Sequence, residues 1–220
     1  MSSSLIQLLV LAGIAVFLIL RLRSVLGTRE GFEKPPVSGP TTSRKSRRPE
    51  FDVIEGGPDH DITDHVEDGS SSAKALAAMK MAEPGFQVGT FLEGSRAAYE
   101  MILMAFESGD LSEVSDFLSE DVAESFQSVI DLRAEQNLTV EANFVGVREI
   151  ALKEASFDRD TSEGEVTVRF VGELTSVVKN AEGEIVEGDA TTIKRQKDVW
   201  TFARKMGADN PNWQLVATGE

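Results

Sequence analysis

Glu165-Val-Thr-Val-Arg-Phe-Val171 alternates side chains so that Val166, Val168 and Phe170 share one face and Glu165, Thr167 and Arg169 the other. A period of two is the mark of a half-buried strand. Working outward, Asn180-Ala-Glu-Gly183 is turn chemistry and leads into a second strand-like run from Asp189 to Arg204. Asp209-Asn-Pro-Asn212 turns the chain again, into Trp213-Gln-Leu-Val-Ala-Thr218. On the other side, residues 143–157 carry Val145, Val147, Ile150 and Leu152, a strand whose alternation is broken by an irregularity. These spacings predict four antiparallel strands.

Upstream of Asn137 the period is helical. Ser72 is placed to cap a short helix, Ala73 to Met81, which Pro84-Gly85 ends. Phe91, Leu92, Tyr99, Ile102, Leu103 and Phe106 then recur at helical spacing, and Gly109 supplies a stop. Asp110 with Glu113, and Asp121 with Glu124, resemble capping boxes. The first predicts a short helix with Leu111, Val114, Phe117 and Leu118 inward; the second predicts a longer one with Val122, Phe126, Val129, Ile130 and Arg133 inward. Helices followed by strands give an α+β order, with three helices packed on one face of a four-stranded antiparallel sheet over residues 73–220.

The N-terminal third reads differently. Leu5 to Leu20 is almost wholly apolar and is stopped by Arg21 and Arg23. With its flanks it approaches the ~20 residues a membrane-spanning helix needs. A cleaved signal peptide would carry a basic segment before the apolar run, and a buried core helix would show a polar face; neither is present. Residues 1–26 are therefore expected to be an uncleaved anchor. The flanking cations Arg21, Arg23, Arg29, Lys34, Arg44, Lys45, Arg47 and Arg48 all follow it, which places the rest of the chain in the cytoplasm. A bacterial inner membrane is the expected address, with a mitochondrial inner membrane facing the matrix as the alternative. Residues 27–72, rich in Pro, Gly, Ser and Thr, read as a disordered linker. The cluster Arg44, Lys45, Arg47 and Arg48 suits either contact with anionic lipid or a plain solvated linker. The acidic run from Glu50 to Asp68, with His60 and His65, reads as solvated linker rather than metal site.

Charge and composition narrow the function. Lys plus Arg number 22 against 37 Asp plus Glu, a net of −15, and 12 basic face 26 acidic residues from Phe86 onward. So acidic a region repels phosphate and argues against nucleic acid. With no cysteine and no histidine beyond His65, thiolate and imidazole chemistry is absent from the C-terminal region. No phosphate-binding Gly loop, zinc-binding His pair or nucleophile elbow occurs. The reading therefore names no catalytic residue, no metal ligand and no cofactor. Arg169 and Arg204 read as surface ion pairs, and the strand aromatics as core or pocket wall.

Several blocks taken together carry a resemblance. Glu93-Gly-Ser-Arg-Ala-Ala-Tyr-Glu-Met-Ile102, Val166 to Phe170, Val186-Glu-Gly-Asp189, Asp198-Val-Trp-Thr-Phe202 with Arg204, and Asn212 to Thr218 resemble, in order, the Tim-forty-four-like domain family. The resemblance covers about residues 75–220. It implies a cone similar to nuclear transport factor two, a curved sheet wrapped by helices with a pocket at its mouth. It also implies an adaptor that binds protein: mitochondrial members link an import channel to a DnaK-class chaperone, and bacterial members resemble membrane-tethered adaptors. On that reading Tyr99, Phe106, Phe170, Trp200, Phe202 and Trp213 form the candidate pocket or partner surface. The expected partners are a translocase, a membrane-protein assembly factor or such a chaperone. The alternative is an isomerase- or cyclase-like enzyme or small-ligand binder, since such cones also host catalysis; it would need a carboxylate opposite Tyr99.

Overall fold

The computed structural model describes residues 59–219. In chain order these form α1 (His60–Thr63), α2 (Ser71–Ala82), α3 (Val88–Ser108), a 3-10 turn (Ser112–Phe117) and α4 (Glu120–Glu135). Strands β1 (Thr139–Asp158), β2 (Glu163–Lys179), β3 (Ile185–Lys205) and β4 (Gln214–Gly219) follow. They pair as an antiparallel meander in the order β1-β2-β3-β4, so the expected α+β architecture is present. The apolar stretch Leu5–Leu20 and the cluster Arg44–Arg48 lie outside the described residues. Among the described residues no helix is long and apolar enough to cross a membrane.

The alternating stretch of β2 forms the centre of the core. Val166, Val168 and Phe170 are fully buried, and β2 has partners on both sides. The first three strands are longer than their alternation suggests: β1 begins at Thr139, β2 runs from Glu163 to Lys179 and β3 begins at Ile185. β1 slips register against β2 at three places, between Phe144 and Gly146, Val147 and Glu149, and Leu152 and Glu154. Each extra residue is a bulge that bends the strand and breaks the apolar period, which is the irregularity visible in the sequence.

The helices start and stop for local reasons. Ser70, not Ser72, caps α2, its Oγ accepting from the Ala73 N–H at 3.1 Å. Ser72 lies inside the helix, where its buried Oγ accepts from the Ala155 N–H at 3.1 Å and pins α2 to β1. Gly109 ends α3 at φ 78°, a left-handed position that glycine adopts without a Cβ clash. The segment after it is a 3-10 turn rather than an α-helix, with Val114 and Leu118 buried. Ser119 rather than Asp121 caps α4, and the Ser119 N–H donates to the Leu215 carbonyl at 3.0 Å, tying the helix start to β4. Only Val122 of α4 is fully buried; Val129, expected inward, is exposed. It flanks the packed stripe made by Phe126, Ile130 and Arg133.

Order begins earlier than the composition suggests. Residues 59–70, assigned above to the linker, are folded. Ile62 is buried in the core, and the Asp61 carboxylate accepts from the N–H groups of Val88 and Gly89 at 2.8 and 2.9 Å. It thereby caps α3, whose own N-cap Gln87 provides no side-chain bond. Lys80 bridges Asp59 and Asp61, each at 2.7 Å. Burial pushes the Asp61 carboxyl up, but the bonds from Lys80, Gly89 and Val88 outweigh it and hold the group below its ordinary value. Asp61, Ile62 and Val66, with the Lys80 bridge, tie down a stretch whose average composition is that of a linker.

Candidate functional site

Four of the six candidate aromatics meet in the interior. Tyr99 projects from α3 and stacks on Phe170 of β2 with centroids 4.5 Å apart and planes at 9°. Trp200 of β3 lies 4.7 Å from Tyr99, and Phe202 completes the group 6.2 Å from Trp200. Tyr99, Phe170, Trp200 and Phe202 are all buried. The rings pack on one another, and Phe202 also lines the recess described below. Gly172 shows how close the fit is, because a Cβ there would stand 2.7 Å from the Tyr99 Oη.

Tyr99 does have a carboxylate opposite it. Its hydroxyl donates to Asp198 Oδ2 at 2.5 Å, and Gln196 Nε2 donates to Oδ1 at 3.1 Å. Burial first, then Asp198, push the Tyr99 hydroxyl well above the ordinary phenol value, so it stays protonated. Asp198 is a residue the sequence reading missed. The signal was available: Asp198 has the same strand parity as Trp200 and Phe202, which puts it on the covered face.

Trp213 and Phe106 lie elsewhere. Trp213 is half-buried against Phe91 at 4.7 Å and Phe86 at 5.8 Å. The Arg204 guanidinium sits 5.2 Å from the Trp213 ring centre, and its Nη2 donates to Glu83 Oε1 at 2.6 Å. Glu83 Oε2 accepts from the Gly207 N–H at 2.9 Å. Arg204, with its side chain 8% exposed, is thus a buried anchor between the end of α2 and the β3–β4 turn, not the surface ion pair expected. Arg169 does match that expectation, pairing with Glu149 across the β1–β2 ladder at 3.2 Å. Phe106 packs on Phe126 at 4.7 Å with Arg133 stacked 4.5 Å above its ring centre, holding α4 to the end of α3.

Two of the surface depressions border α3. A recess of about 160 Å³ opens between α3, the 3-10 turn and the β3–β4 turn, lined by Phe91, Gly94, Ala98, Phe117, Pro211 and Trp213. It is largely apolar, and a Cβ at Gly94 would meet nothing within 4 Å. The second is a cleft of about 250 Å³ at the far end of α3, among Glu107, Ile130, Arg133, Leu138 and Val140. Burial pushes the Glu107 carboxyl up, against the nearby charges of Arg133 and Lys194. Among the described residues no group of three or more acidic, histidine or cysteine side chains could hold a metal ion. His60 is exposed and 4.0 Å from Asp64.

The family described as "Tim44-like domain" matches residues 72–220, from inside α2 to the end of β4 and just beyond. No curated protein matches the chain in sequence. Among solved structures, the intermembrane space region of chloroplast protein ARC6 is similar at 7% identity and a TM-score of 0.34, over 66% of this chain and 94% of that one. The Glu93–Ile102 block is α3 with Tyr99, and the Asp198–Arg204 block is β3 with the Tyr99 and Glu83 partners. From Ser72 to its last residue the chain belongs to the Tim44-like domain family.

Proposed function

We propose that this protein is a membrane-tethered adaptor that holds a protein partner at the cytoplasmic face of a bacterial inner membrane. A mitochondrial inner membrane facing the matrix is the alternative address. Tim44-like domains mediate protein interactions in translocation, which supports an adaptor in general. The observation that carries the reading here is the apolar recess beside Gly94, Ala98 and Trp213, which is open at the surface while the aromatic interior is packed. An apolar side chain from a partner segment fits such a recess. The bulged sheet packed on α3 suits the cone expected from the resemblance. The span read over Leu5–Leu20 would raise the local concentration of domain and client on one membrane. A translocase, an assembly factor or a DnaK-class chaperone is the proposed kind of partner, and the cluster Arg44, Lys45, Arg47 and Arg48 would rest on anionic headgroups.

The Tyr99–Asp198 pair supports a second reading, an isomerase-like site. However, the Tyr99 hydroxyl is committed to Asp198 among stacked rings, so a substrate would have to displace packed aromatics. Two experiments on the full chain test the adaptor reading. Gly94→Trp should fill the recess and abolish co-purification of the partner from detergent-solubilised membranes, with melting unchanged. Alkaline phosphatase fused after Glu220 should be inactive. Retention of the partner by Gly94→Trp overturns the recess as the working surface, and an active fusion overturns the orientation.

A further inference from the structure

The outer edge of β3 is only partly covered. β4 pairs with β3 from Val199 to Ala203 and stops with Gly219 opposite Val199. From Ile185 to Asp198, β3 has no strand on its outer side among the described residues; on the inner side it pairs with β2 over Ile185–Asp189 and again over Lys194–Asp198, with Ala190–Ile193 bulged out between. This stretch is exposed throughout, apart from half-buried Gln196 and Asp198. Its backbone N–H and C=O groups on that side form a template for one more strand, in line with β4.

The side chains say what kind of strand. Lys194, Arg195 and Lys197 place three cations within four residues, in a region with 12 basic and 26 acidic residues from Phe86 onward. Alternation puts Lys194 on the helix-covered face with Gln196 and Asp198, and Arg195 and Lys197 on the other face. Arg195 is engaged by Glu173 at 2.9 Å, while Lys194 and Lys197 make no ion pair within 4 Å among the described residues. Ile193, more than half exposed, supplies apolar surface just before this stretch. Two copies paired antiparallel about Gln196 would set Arg195 against Lys197 on one face and Lys194 against Asp198 on the other, so charge gives a second copy no net gain at this edge. A strand carrying Asp or Glu at alternate positions would meet opposite charge from Arg195 and Lys197 on the outer face.

We propose that the free edge of β3, centred on Lys194–Asp198, binds an extended acidic segment of a partner protein by strand addition. This rests on the adaptor reading and adds to it the chemistry of the bound segment and its mode of binding. The recess beside Gly94 and this edge are then two separate contacts. The lysines make the edge selective for acidic strands.

The test uses the full chain in detergent and an eight-residue, end-blocked peptide of alternating Glu and Val, followed by fluorescence anisotropy. Binding should weaken at least tenfold in Lys194→Glu/Lys197→Glu and stay within twofold in Lys153→Glu/Arg159→Glu. Peptides N-methylated at alternate residues, in each of the two phases, should separate: one phase loses binding and the other keeps it. Hydrogen exchange should slow at residues 194–198 when the peptide is bound. Equal binding by both methylated phases, or by the charge-reversed variant, overturns strand addition at this edge. Sedimentation showing dimers that the charge reversal dissolves assigns the edge to a second copy and also overturns the proposal. If either result comes while the recess-sensitive partner still co-purifies, the adaptor reading stands and the edge proposal alone falls.

Discussion

Trp200→Ala is expected to lower the unfolding free energy by about 3–5 kcal/mol, seen as a shift of the denaturant midpoint at unchanged slope. The indole is 4% exposed and contacts Tyr99, Phe170 and Phe202, with centroids 4.7, 5.9 and 6.2 Å away. Its removal leaves a cavity beneath α3, and the stacked Tyr99–Phe170 pair is held by both helix and sheet and cannot collapse to fill it. The cost should therefore lie near the top of the range for aromatic truncation. A change under about 1 kcal/mol would mean that these rings form the wall of an adaptable pocket rather than a packed core.

Arg204→Ala should cost about 2–4 kcal/mol, somewhat below a fully buried pair because Glu83 keeps 27% of its side-chain exposure. The loss combines the 2.6 Å bond to Glu83 with the packing of the guanidinium on Trp213. A double-mutant cycle with Glu83→Gln separates the two, since only the ionic part should couple. The bond from Arg204 holds the Glu83 carboxyl below its ordinary value of 4.5, against the upward push of burial. A carboxylate with a depressed folded pKa stabilises the fold fully above that ordinary value, and the contribution fades as pH falls through the lower folded one. The stability gap between the native protein and Glu83→Gln should thus be widest at neutral pH and close on acidification below about pH 4.5. A gap that is constant with pH would show that Glu83 acts by shape and not by charge.

Much of the fold was legible because its signals are local. The period of β2, the stop at Gly109 and the turn at Asn180–Gly183 each depend on a few adjacent residues, and each appears where expected. What the sequence hid depends on distant partners. Asp61 caps a helix that starts 27 residues later, and Ser72 leaves a capping role to bind β1 83 residues on. Neither pairing leaves a local trace. The Asp110–Glu113 box was overruled because its segment is short and docks through Leu118 and Ser119 onto Leu215, which the tighter 3-10 turn permits. For the site, alternation identified the core aromatics, but it could not show that Tyr99 and Gly172 would close the space between them. The recess at Gly94 is made by elements far apart in the chain, α3 and the β3–β4 turn, and has no motif.

The central claim is that the domain works by holding a partner on its surface, and photo-cross-linking in living cells tests it most directly. A photoreactive side chain placed at Gly94, in the full chain, should give a discrete protein adduct that is absent when the same group stands at exposed Glu113. An adduct at Gly94 alone is the predicted result. Equal adducts at both positions, or none at Gly94 with the protein folded and in its membrane, would contradict the account.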